Sequence, residues 1–147
     1  MANGSDMNIA EHSVEIAEKM KHAGLRPTRQ RIMLGGLLWA RQEGHRHVTA
    51  EQLHNEAKDM KIQVSLATVY NTLHQFTNVG LLKEIVVDNN RCYFDTNIDE
   101  HHHFFNESTG ELGDIAADAI QVGAVPAPPH GTSIASVDVM VRVRNAS

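Results

Sequence analysis

"SLATVYNTLHQFTNVGLLKEIVVDNNRCYFD", residues 65–95, carries two periodicities back to back, and the junction between them decides the fold. Ser65 is a good N-cap, able to accept one of the unpaired amides of a first helical turn, and Gly80 suits the position just past a helix end. Between them, at about 100° per residue, Leu66, Val69, Leu73 and Phe76 gather on one side, with Ala67, Thr68, Asn71, Gln75 and Asn78 opposite. Exposed helices usually carry Lys and Glu. An outer face that is polar but uncharged suits hydrogen bonding to base edges. After Gly80 the period shortens, and two β-rich runs around "DNN" (88–90) predict a hairpin with turn residues at its tip.

Three shorter helices are predicted upstream. "NIAEHSVEIAEKMKHAG" (8–24) spaces Ile9, Ile16 and Met20 on one face and stops at Gly24. "RPTRQRIMLGGLLWARQEG" (26–44) starts at Pro27 and Thr28 and runs an apolar stripe through Ile32, Leu34, Leu38 and Trp39. In "HVTAEQLHNEAKDM" (47–60), Thr49 followed by Gln52 has the form of a capping box, with Leu53, Ala57 and Met60 facing inward. Helix, helix, recognition-like helix and hairpin is the order of a winged helix-turn-helix. Small helical domains with a hairpin also occur without DNA, so order by itself does not fix function.

Composition narrows the classes. Net charge is −5 over 147 residues, which at first sight disfavours a nucleic-acid partner. The distribution says more: Lys19, Lys21, Arg26, Arg29, Arg31, Arg41 and Arg46 face a single acid, Glu43, in one segment that holds over half of the 13 cationic side chains. Taken alone, such a run is better read as a solvated helix face. The one cysteine, Cys92, excludes an intrachain disulfide framework and a Cys-rich structural zinc site. With no signal-peptide pattern and no membrane-spanning apolar run, a cytoplasmic protein without a membrane partner is expected.

Beyond Phe94 the character changes, and a boundary is placed between a winged-helix domain, residues 1–95, and a second domain, 96–147. "HHHFFNESTGELGDIA" (101–116) reads as two strands around a turn, and "SIASVDVMVRVR" (133–144) alternates as a third. Pro126, Pro128 and Pro129 forbid helix between them, confining any helix to about "ADAIQVG" (117–123). The expected class is α+β, a winged helix followed by a small α/β domain with a three-stranded sheet. So few residues make a poor independent core, and pairing with a second copy is the natural way to bury it.

The histidine run His101–His102–His103 is two plus one. In a strand, His101 and His103 share a face and His102 points away. The H-x-H pair can share an ion if other ligands arrive, and Asp95, Asp114 and His47 stand near in sequence. Three imidazoles and two carboxylates suit divalent iron or manganese, and zinc whenever it is available. A solvated histidine cluster holding nothing is the alternative.

"GLRPTRQR", "HVTAEQLH", "SLATVYNTLHQF", "GLL" and "YFD…HHH", in this order from about Ala23 to Ile115, resemble the ferric uptake regulator family of metal-responsive repressors. "SLATVYNTLHQF" and "FDTNIDEHHHFF" look most like its iron response regulator branch of α-proteobacteria. The resemblance implies a dimerisation domain after the winged helix and a regulatory metal site at their junction, with His47, Asp95, His101, His103 and Asp114 as ligands. It also implies a haem signal, with His101, His102 and His103 as candidate haem ligands beside Phe104 and Phe105, and haem or a haem-delivering protein as partner. In that branch DNA is bound when haem is scarce and released when haem binds. Departures from the family are plain: the Cys-x-x-Cys pairs of a structural zinc site are missing, a further metal site would fall on Gln121 and Val137, which are poor ligands, and no Cys-Pro haem motif precedes the first helix.

A homodimer reading two half-sites of an A·T-rich double-stranded operator follows. Tyr70 contacts DNA by resemblance; Ser65, Thr68 and Asn71 are placed by geometry, Arg26 for the minor groove and Arg91 for phosphate. The chain is not expected to be an enzyme: a zinc hydrolase would need an open position and a separate base. Metal or haem storage without DNA affinity fits poorly with the uncharged face of the 65–78 helix.

Overall fold

The computed structural model describes the backbone of residues 4–40 and 44–147 and the side chains of residues 11–40 and 44–147. Arg41, Glu43 and the inward face assigned to Ile9 lie outside the described residues. The chain divides into two units, Met1–Ile98 and Asp99–Ser147.

In the first unit, α1 (Gly4–His22), α2 (Arg29–Trp39), α3 (Ala50–Asp59) and α4 (Leu66–Asn78) are followed by a hairpin of β2 (Lys83–Asp88) and β3 (Arg91–Asp95). The starts are capped as their sequences require. Thr28 accepts the Arg31 amide, Thr49 and Gln52 complete a capping box, and Ser65 accepts the Thr68 amide. Three ends share a second device. At the ends of α1, α3 and α4 the residue after the cap takes a left-handed backbone, and the next amide reaches back to the helix: Leu25 to Met20, Ile62 to Ala57 and Leu81 to Phe76, at 2.8–2.9 Å. Two of these left-handed residues are Gly24 and Gly80; the third is Lys61, at φ 58°. A side chain in that conformation costs roughly 1–2 kcal/mol.

The core gathers Ile16, Met20, Leu34, Leu37, Leu38, Leu53, Val69, Leu73, Phe76 and Phe94. On α4 the apolar face packs inward as the sequence predicts, with Val69, Thr72, Leu73 and Phe76 buried. The stripe on α2 is wider than expected: every residue from Leu34 to Leu38 is buried. The reason lies at Gly35, where an added Cβ would stand 2.8 Å from the Trp39 ring and 2.9 Å from Ile16, so the missing side chain is what lets α1 pack this close.

A two-residue strand, β1 (His47–Val48), pairs antiparallel with β3 and gives the order β1-β3-β2. Two residues are too few to show alternation, so no sequence pattern announces it.

In the second unit, β4 (His101–Asn106) and β5 (Leu112–Ala116) form the expected hairpin, and β6 (Met140–Val143) lies parallel to β4 on its other side. The third strand is shorter than its alternating sequence implies, because only residues 140–143 of "SIASVDVMVRVR" find a ladder partner. The helix allowed at 117–123 is a single 3₁₀ turn, Ala117–Ala119, and the proline-rich stretch after it has no regular structure. No described helix is long and apolar enough to cross a membrane.

Candidate metal centre and nucleic-acid interface

In the first unit the β1–β3 register sets His47 opposite Asp95, and the His47 Nε2 lies 3.1 Å from Asp95 Oδ2. Asp95 is wholly buried, its Oδ1 accepting the Asn97 amide at 2.9 Å. A buried carboxylate costs several kcal/mol unless charge or hydrogen bonds meet it, and here the Asn97 amide and the His47 ring stand against it. The short strand is fastened at the residue before: Arg46 and Thr96 exchange two hydrogen bonds, at 2.8 and 3.0 Å. The Arg46 guanidinium donates to the Leu37 carbonyl and to Glu56, both at 2.6 Å. Arg46 thus ties the ends of α2 and α3 to the strand carrying His47, a role invisible in a sequence where it reads as one more cation.

In the second unit the register pairs His103 with Asp114. Asp114 Oδ1 sits 3.0 Å from His101 Nε2 and 3.4 Å from His103 Nε2, with the two rings 4.4 Å apart. His101, His103 and Asp114 each offer a ligand atom within 4.8 Å of the others. His101 Nδ1 donates to the Asp99 carbonyl at 2.6 Å, which leaves Nε2 as the nitrogen that faces Asp114. Both imidazoles are buried. Two imidazoles and a carboxylate on one pleated face make a nitrogen/oxygen donor set that fits a divalent first-row metal.

His102 belongs to the opposite face. Its Nδ1 accepts the Val139 amide at 3.0 Å, and it borders a cavity of about 440 Å³ where Ile120, Val122, Ile134 and Val137 meet the polar Glu100 and Asp138. The three histidines therefore do not act as one group. Phe104 is exposed, whereas Phe105 is fully buried, so only Phe104 offers surface to a ligand; the pleat that turns Phe104 out turns Phe105 into the core.

On the nucleic-acid side, Asn71 is exposed on α4, and Ser65 is occupied as the cap, its hydroxyl donating to the Thr68 hydroxyl at 2.9 Å. The Tyr70 hydroxyl donates to Glu51 at 2.8 Å, a bond that with partial burial pushes its pKa up. Arg26 is exposed, its carbonyl accepting from Arg31 at 2.7 Å. Arg91, at the hairpin tip, forks onto Asp88 at 2.7 and 3.0 Å and holds that carboxyl below its usual range. Sequence reading missed Arg31, which grips the Gln75 side-chain oxygen with two nitrogens, at 3.1 and 3.3 Å, and so braces α2 against the recognition-like helix. An Arg and a Gln 44 positions apart give no local signal.

The ferric uptake regulator family profile matches residues 22–142. The ferric uptake regulation protein of Haemophilus ducreyi is 32% identical over 101 residues, 68% of each chain. The peroxide-responsive repressor PerR of Staphylococcus aureus is 30% identical over 110 residues, 74% of this chain and 72% of that one. The manganese-containing ferric uptake regulator of Pseudomonas aeruginosa shares the fold, with a TM-score of 0.67 at 23% identity over 90% of this chain and 98% of that one. With this match spanning the winged helix, both histidine-carboxylate pairs and the second sheet, the chain belongs to the ferric uptake regulator family of metal-responsive transcription regulators.

Proposed function

We propose that His47 and Asp95 from the first unit and His101, His103 and Asp114 from the second hold one divalent ion, iron or manganese in the cell, and that its occupancy sets the affinity of a homodimer for operator DNA. The observation that carries this reading is that each unit brings imidazole and carboxylate together by its own strand register, while only residues 96–100 separate Asp95 from His101. The related Pseudomonas aeruginosa regulator carries manganese. An ion held from both sides restricts the angle between the units, and a ligand shifts a conformational equilibrium only through such preference for one arrangement. When bound, the metal supplies a fixed positive centre; the chain's own residues orient the donors, through the Asp99 carbonyl on His101, the Asn97 amide on Asp95 and the Arg46 clamp behind His47.

In this reading α4 enters the major groove of an A·T-rich half-site, with Asn71 pairing to adenine, Ser65, Thr68 and Tyr70 near the backbone or base edges, Arg26 in the minor groove and Arg91 on phosphate. Operator titration with and without Mn²⁺ tests it: equal affinity in both, for wild type and for a His101→Ala/His103→Ala variant, removes metal control.

A second reading, haem as the signal in the manner of the iron response regulator branch, is supported by one observation: His102 lies on the strand face opposite His101 and His103, beside a cavity that Ile120, Val122, Ile134 and Val137 help to line, and an axial bond would need its Nδ1 to give up the Val139 amide. Haem, free or delivered by another protein, would then release DNA from the genes of iron homeostasis and haem synthesis. A Soret band that is unchanged by His102→Ala sinks the assignment of His102.

A further inference from the structure

The fold asks for glycine where the chain has Lys61. At the ends of α1 and α4 the same pair of reaching-back amides is served by Gly24 and Gly80, and only α3 places a charged side chain in the left-handed position. A strained residue kept at an exposed turn points to a use for its side chain. Neutralising the negative end of α3 does not require it, because Lys58 already stands in that last turn.

Three other arginines of the first unit already hold side-chain partners. Arg31 holds Gln75, Arg46 holds Glu56 and Arg91 holds Asp88. Arg29 and Lys61 are both exposed and line one cleft of about 350 Å³ together with Gln30, Met33, Ile62 and Gln63. No acid lines it. Arg29 opens α2, whose first turn carries no acidic residue, so the amides at that helix start add to the positive field. Gln63 stands two residues before Ser65, the cap of the recognition-like helix.

Resting on the DNA-binding reading above, we propose that this cleft seats a phosphodiester of duplex DNA flanking the groove that α4 enters, with Lys61 and Arg29 as its cations and the Gln30 and Gln63 amides as added donors. A contact of this kind positions the protein and carries no sequence information.

The test uses the full chain with Mn²⁺, an A·T-rich palindromic duplex and an unrelated duplex of equal length, with binding followed by anisotropy from 50 to 200 mM salt. Lys61→Gln, Lys61→Gly and Arg29→Gln should each weaken binding to both duplexes by a similar factor. Each should lower the slope of log K against log salt by about 0.9 per chain, about 1.8 for the homodimer, so that the variant loses about 12-fold less affinity over that salt range than wild type does. Lys61→Gly should at the same time raise the thermal midpoint, since glycine relieves the turn. An unchanged slope in all three variants overturns the site, as does weakening confined to the palindrome. If wild type binds neither duplex, the DNA-binding reading itself falls and takes this site with it; wild-type binding with unaltered variants removes the site alone.

Discussion

Replacing Arg46 with methionine removes the cation that joins the ends of α2 and α3 to β1. Its side chain and that of Glu56 are 19% and 23% exposed, so both 2.6 Å bonds lie largely out of water. Hydrogen bonds to charged groups contribute about 1.5–3 kcal/mol each, and removing one partner leaves the other desolvated. Some water still reaches Glu56, and the methionine stem replaces part of the lost packing, so the expected cost is about 2–4 kcal/mol, a large share of a typical domain's stability. Trp39 is the single tryptophan and lies in this unit, so its fluorescence through a urea titration reads the effect directly. Adding Glu56→Leu should recover part of the loss, because the stranded carboxylate is removed with its partner. A single-variant cost below about 0.5 kcal/mol, or a double variant whose cost equals the sum of the singles, refutes the clamp.

Gly35→Ala should destabilise the first unit despite alanine's better helix propensity, by about 1–3 kcal/mol in the same titration, since the new methyl meets Trp39 and Ile16 inside contact distance. Asp88→Asn removes the ion pair between Arg91 and that carboxylate, and steepening of the salt dependence of DNA binding is the expected outcome if Arg91 reaches phosphate; an unchanged slope counts against Arg91 at the interface. The Cys92 thiol is pushed up to about 12 by partial burial and by its bond to Glu84, against 9.0 for a free thiol, so its thiolate at pH 8 falls by about a thousandfold. Alkylation should therefore be far slower in the folded protein than in urea. Because the folded state holds this proton more tightly, the stability it contributes is present below pH 9 and declines as pH rises toward 12.

Much of this was legible in residues whose period or capping chemistry is local. Ser65, Thr49 with Gln52, and the run from Leu66 to Phe76 specify their helices through neighbours three and four positions away, and the wing follows from β-rich runs around a turn. The division of the histidine run into His101 with His103 and His102 apart follows from the pleat itself. What stayed hidden depends on distance in sequence. The two-residue strand at His47 exists only because β3 is there to pair with it, and the fate of 133–139 was misjudged because alternation shows what a strand could bury, not whether a ladder partner is within reach. Arg46, Arg31 and Lys61 look alike as cations in the sequence. Only their partners, or in Lys61 the backbone it sits on, tell them apart.

The most direct measurement of the shared-ion claim is Mn²⁺ binding to the full chain, followed by electron paramagnetic resonance, in wild type, His47→Ala and His103→Ala. One ion per chain is predicted, with both substitutions weakening it by more than the 10–100-fold that loss of an outer-sphere partner typically costs. Wild-type affinity retained in His47→Ala while His103→Ala loses the ion would show that the second unit binds metal without the first, and the proposed link between metal and operator would not stand.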